Sequence, residues 1–103
     1  LLAAGFIPVI TPLAVDKNWQ MLNINADLAA AAIANAVSAE KLILLSDIDG
    51  YYSNYSDPNS LVAHLSLAAL QHLLTTDNAS INAGMIPKLE ACYQAVNRNV
   101  STA

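Results

Sequence analysis

Between Ala26 and Val37 seven of the twelve residues are alanine, and Asp27 is the single charge among them. Alanine has the highest helix propensity of any residue, so the segment predicts a helix. Its polar and apolar faces are poorly separated. What it offers a partner is smallness: the methyl side chains let it pack closely on a sheet. The rest of the chain must therefore supply strands. Lys41 to Ser46, "KLILLS", is a short apolar run of the kind found in a central parallel strand covered on both faces. Phe6 to Val15, "FIPVITPLAV", reads as another buried strand, with Gly5 ending whatever precedes it.

The remaining elements follow from turn and cap signals. Asp16 to Asn18 is turn-like, so Trp19 to Leu22 returns as the second arm of a β-hairpin near residues 12–22, with Trp19 packing the hairpin. Asp47 to Ser60 is a long polar loop. Ser66 is positioned to cap a helix over Leu67 to Leu74, and "TTDNAS" at 75–80 is a loop. Met85, Leu89, Cys92 and Val96 form the apolar stripe of a last helix, with Pro87 in its first turn, where a missing N–H costs little. Strand, helix, strand, helix, helix predicts an α/β fold, a mainly parallel sheet sandwiched by helices. The chain starts in what reads as the tail of a helix and stops at "NVSTA", where a further strand is due. Residues 1–103 are thus expected to be a single partial domain.

Composition narrows the function. The chain is 55% hydrophobic and 12% charged, about half the charged share of an average soluble domain, so much of its surface should be covered by another part of the protein or by a partner. A net charge of −4 with four scattered basic residues argues against a nucleic-acid partner. No apolar run reaches membrane-spanning length, and "LLAAGFIPVI" lacks the basic leading region of a signal peptide. One cysteine excludes an internal disulfide and fits the cytoplasm.

Three polar clusters fall where ligands sit in open α/β sheets, at the carboxyl ends of strands and at a helix start. Asn23, Asn25 and Asp27 alternate before the alanine helix; Ser46, Asp47 and Gly50 follow the second strand; Gly84, Met85 and Lys88 open the last helix. Gly84 allows close backbone approach, and a helix N-terminus with a nearby lysine suits a phosphate. Each has a plainer reading. The asparagines and Asp27 serve equally well as a helix cap and turn, Asp47 and Gly50 as loop residues, and Lys88 as a solvated side chain. Cys92 reads as core, and His64 and His72 as surface residues without ligand-like spacing. In combination the clusters describe phosphoryl transfer to a carboxylate, which is already ionised and needs no general base. Such a site needs positive charge on the moving group, which Lys88 supplies, with Asp27 holding a lysine in place.

The stretches "GFIPVITPLAVD", "LNINADLAAAAIANAVSAEKLILLSDIDG" and "GMIPKLEACYQAV", in that order, resemble the amino-acid kinase family over nearly the whole chain. The "NINAD" and "MIPK" forms favour the branch that phosphorylates N-acetyl-L-glutamate over the glutamate 5-kinase branch. The resemblance implies ATP-dependent phosphorylation of the side-chain carboxylate of N-acetyl-L-glutamate, an early step of arginine biosynthesis, in a homodimeric cytoplasmic enzyme. It implies that Asn23 touches the amino-acid substrate, with Asn25 in the same site, that Asp27 organises the catalytic lysines, and that Lys88 stabilises the transferring phosphoryl group. Ser46, Asp47, Gly50, Gly84 and Met85 would face the nucleotide, and magnesium would be held chiefly by the phosphates, with no protein ligand named. Two departures accompany it. Ala83 stands where the family usually has a glycine. The family's N-terminal half, with a further catalytic lysine, two glycine-rich loops and an arginine, has no counterpart in these residues. A non-catalytic nucleotide-binding or dimerising module is the reading of another class.

Overall fold

The computed structural model describes residues 1–76 and 81–103. Its elements are β1 (Leu13–Val15), β2 (Met21–Asn23), α1 (Ala26–Ala36), α2 (Leu67–Thr76) and α3 (Ile86–Val96), with short 3-10 turns at Leu2–Ala4 and Pro58–Ser60. The helix tail expected at the start is the first of these turns. Gly5 ends it in the left-handed region, at φ 81°, where a Cβ would be strained. The three longer helices stand where the sequence puts them, to within two residues at their ends. The loop expected at 75–80 is occupied at Thr75 and Thr76 by the end of α2, and its last four positions lie outside the described residues.

The sheet differs from expectation. β1 and β2 pair antiparallel, Leu13 with Asn23 and Val15 with Met21, giving the expected hairpin and a sheet of two strands. The parallel sandwich is not present among the described residues. Parallel pairing is confined to one bridge between Lys41 and Thr102, supported by Leu42 N–H donating to the Thr102 carbonyl at 3.0 Å. The run at 41–46 is covered on one side only: Leu42 is buried, whereas Ile43 and Leu45 are 71% and 88% exposed. Phe6 to Ile10 is not a buried strand either, with Ile7 and Val9 more than nine-tenths exposed. The physical reason is shared, since no neighbouring strand or helix among the described residues covers these segments. Trp19 is also not packed: it is 84% exposed, with φ at 61°, a left-handed conformation uncommon for a bulky residue. Asp16 braces that turn, its Oδ1 accepting from Asn18 N–H at 2.7 Å and Gln20 N–H at 2.9 Å.

Two cores form instead of one sheet-centred layer. In the first, Ala31 and Ala34 of α1 meet Ala91 and Ala95 of α3, with Leu42 and Val100 closing the ends. Ala31, Ala91 and Ala95 have no exposed surface at all. The alanine helix therefore packs closely as its composition requires, but on another helix. In the second, Leu70 of α2 meets Ile81, Met85 and Leu89, flanked by Ile48, Tyr51, Leu65 and Cys92. Ser66 caps α2 as expected, its Oγ accepting from Ala69 N–H at 3.2 Å.

Candidate functional site

Lys88 lies in the first turn of α3 and Asp27 in the first turn of α1. The Lys88 ammonium donates to both Asp27 carboxylate oxygens, at 3.2 and 3.3 Å, with the two side chains 26% and 23% exposed. Lys88 is thus not the freely solvated side chain of the plainer reading. With only about a quarter of each side chain exposed, the pair lies between a surface ion pair, worth about 0–1 kcal/mol, and a buried one, whose attraction is offset by desolvation. A cation in a helix's first turn also opposes the macrodipole, at a cost of roughly 0.3–1 kcal/mol. The two nearly cancel, so stability does not account for the lysine. What the arrangement does create is concentrated positive potential, from an ammonium and a helix N-terminus together, oriented by a carboxylate and open to solvent. That is chemistry suited to a phosphate.

The other residues read from the sequence distribute as follows. Asn25 is the N-cap of α1, its Oδ1 accepting from Leu28 N–H at 3.1 Å, so its side chain serves the helix as the plainer reading has it. Asn25→Ala is expected to lower the unfolding free energy by about 1 kcal/mol and Asn25→Ser to restore most of it, as denaturant midpoints of the two variants would show. Asn23 ends β2, exposed, two residues before the cap. Ser46 and Asp47 are exposed and bonded to each other at 3.4 Å. Gly50, Met85 and Lys88 share one cleft of about 600 Å³, whose lining continues through His64, Leu65 and Cys92. Gly50 has φ 156°, and a Cβ there would meet Leu61 Cδ1 at 3.2 Å, so the loop needs a glycine for its own geometry. Gly84 N–H is taken by Asn82 Oδ1 at 2.9 Å, and Met85 N–H by the Asn82 carbonyl at 2.8 Å. The Met85 side chain is buried in the second core, which leaves the first-turn N–H groups of Ile86 and Lys88, Pro87 having none, and the Lys88 ammonium to face a ligand. Ala83 is exposed, so its methyl group displaces nothing inside the fold.

Cys92 and Asn35 were not picked out as site residues by sequence reasoning. Cys92 lies one turn beyond Lys88 and is half-buried against the second core. Burial raises its thiol pKa first and the Asp27 carboxylate raises it further, against the lowering effects of its backbone hydrogen bond and of Lys88. Its four-residue spacing from Lys88 was a usable signal. His64, read as a surface residue, is exposed but also lines the cleft. Among the described residues no group of three or more His, Cys, Asp or Glu could hold a metal, and no helix is long and apolar enough to cross a membrane. A second and more apolar groove, of about 700 Å³, runs between Pro8–Ala14 and α1 and is lined by none of the candidate residues.

The sequence matches the profile of the Amino acid kinase family over residues 1–103. It is 52% identical to an acetylglutamate kinase of Mycobacterium sp. (strain JLS) and 48% identical to one of Rhodococcus jostii (strain RHA1), over 100% of this chain in both cases and over 34% and 32% of those proteins. The chain therefore spans about a third of the length of the curated relatives it matches. The crystal structure of smu.665 from Streptococcus mutans UA159 superposes with a TM-score of 0.68 at 38% identity, over 84% of this chain and 33% of that one.

Proposed function

Because the chain belongs to the amino acid kinase family, we propose that residues 1–103 are the nucleotide-facing, C-terminal portion of a kinase that phosphorylates the side-chain carboxylate of N-acetyl-L-glutamate. The observation that carries this reading is the Lys88–Asp27 pair: a lysine held against the helix dipole by a carboxylate on a second helix. The residues fit a magnesium-bound nucleotide in the features that can be tested against it. Lys88 is accessible, α3 starts beside it, and the exposed Gly84 leaves room for phosphate oxygens. ATP when bound supplies the phosphoryl group. Lys88 stabilises charge on that group, Asp27 keeps the ammonium aimed, and Ser46, Asp47 and Gly50 border the nucleotide. Asn23 orients the acceptor and Asn25 shapes its wall by capping α1. In the complete protein, the uncovered rows at 6–10 and at Ile43 and Leu45 become strands of a helix-covered, mainly parallel sheet, and the protein acts as a homodimer in the cytoplasm.

The support for N-acetyl-L-glutamate as acceptor is the name shared by the relatives and the "NINAD" and "MIPK" forms. ADP release by the complete protein, measured with each acceptor in turn, is expected to rise with N-acetyl-L-glutamate. Stimulation by free glutamate alone would move the assignment to a glutamate 5-kinase. Nucleotide binding with stimulation by neither acceptor would leave a non-catalytic binding module.

A further inference from the structure

Asn35 sits near the C-terminal end of α1, and its Nδ2 donates to the Gln94 backbone carbonyl of α3 at 3.1 Å. In a continued helix that carbonyl would accept from Arg98 N–H, which bonds instead to the Ala95 carbonyl at 3.3 Å, so Asn35 satisfies a carbonyl left open at a helix end. The Asn35 Oδ1 atom, by contrast, is buried without a hydrogen-bond partner among the described residues. Burying an unpaired amide oxygen costs at least as much as one hydrogen bond returns. Net stability therefore does not explain Asn35 any more than it explains Lys88.

The two contacts explain each other when their positions are compared. Asp27 and Lys88 meet at the N-terminal ends of α1 and α3, Asn35 and Gln94 near the C-terminal ends. The helices consequently run in the same direction, tied at two heights about 9–12 Å apart at 1.5 Å per residue. Between the ties the buried contact is made by the methyl groups of Ala31, Ala34 and Ala91, with Leu28 and Ala30 packed at its margin and Ala95 just beyond the Gln94 tie. Alanine surfaces carry shallow ridges and grooves and so resist axial sliding weakly. One polar tie leaves the helices free to pivot and two do not. We propose that Asn35 is a positioning residue, which fixes the register of α1 on α3 and so keeps Asp27 against Lys88 from the far end of the helix.

The test reads the Lys88 ammonium directly. In the unaltered protein its part-buried contact with Asp27 is expected to slow hydrogen exchange enough for an observable ¹⁵N–H signal, assigned by its loss in Asp27→Asn. Asn35→Asp, nearly isosteric but unable to donate to the Gln94 carbonyl, is expected to abolish that signal while the backbone spectrum remains that of a folded protein. Asn35→Gln, which keeps the donor, is expected to retain it. A persistent Lys88 signal in folded Asn35→Asp overturns the proposal. If Asn35→Asp does not fold, Asn35→Ala, which places no charge opposite the carbonyl, decides the question by the same two outcomes. The catalytic consequence rests on the kinase reading: Asn35→Asp in the complete enzyme should lower kcat with KM unchanged. Loss of the signal without loss of kcat would support the register role of Asn35 and remove Lys88 from phosphoryl transfer, so the two failures are distinguishable.

Discussion

On the proposed reading, Lys88→Ala in the complete protein is expected to lower kcat by roughly 10²–10³-fold, the usual effect of deleting one preorganised group that meets developing charge. The structural grounds are that Lys88 contributes almost nothing to holding the fold. Its ion pair is part-buried, so desolvation offsets part of the attraction, and its position opposes the helix dipole. The variant should therefore fold normally, and its unfolding midpoint should stay within about 1 kcal/mol of the parent's. KM for the acceptor should change little, because the charge matters most when the phosphoryl group is in flight. Asp27→Asn should give a smaller fall, since it leaves the ammonium present but loosely aimed. Steady-state kinetics of both variants with saturating nucleotide, beside their denaturation curves, provide the check. A Lys88→Ala enzyme with unchanged kcat would take the lysine out of the mechanism.

The largest effect on stability is expected from Ala91→Leu. Ala91 has no exposed surface and faces Ala31 and Ala34 across the joint between α1 and α3. Leucine and alanine are both strong helix formers, so intrinsic propensity barely changes. The extra carbons, however, have no volume to enter without forcing the helices apart. Overpacking of this kind costs about 1–3 kcal/mol and sometimes more, a large share of a typical domain's stability of about 5–15 kcal/mol. Separation of the helices should also part Asp27 from Lys88, so activity should fall together with the urea midpoint. Ala91→Gly is the control: it loses one methyl group and some helix propensity without forcing the helices apart, so it should leave Asp27 against Lys88. A Leu variant with an unchanged midpoint would show that the joint has room to spare.

The helices and the hairpin were legible because their signals are local. Ser66, Pro87, Gly5 and the alanine run each act through neighbours a few residues away. The pairing of Asp27 with Lys88 was legible as chemistry, an acid able to hold a lysine, although no periodicity brings positions so far apart together. The sheet was not legible in the form observed. Phe6 to Val15 and Lys41 to Ser46 carry the composition of covered strands, but what covers a strand is tertiary, and here most of it is not among these residues. Trp19 failed for a different reason: Asp16's hydrogen bonds hold the turn so that the indole points outward, a detail set by backbone conformation. Asn25 was legible as a helix cap, because that contact lies within three residues of it. Asn35 was hidden because an asparagine in an alanine helix gives no hint of the distant carbonyl it meets.

The sequence distance between the paired charges has a consequence for how the protein folds. Asp27 and Lys88 are 61 residues apart along the chain. Bringing the ends of so long a flexible loop together costs about 4 kcal/mol in chain entropy even before the constant term, several times what an exposed ion pair returns. The pair is therefore a passenger during folding. It depends on the buried alanine surfaces that hold α1 and α3 together, and neither helix alone can reproduce it.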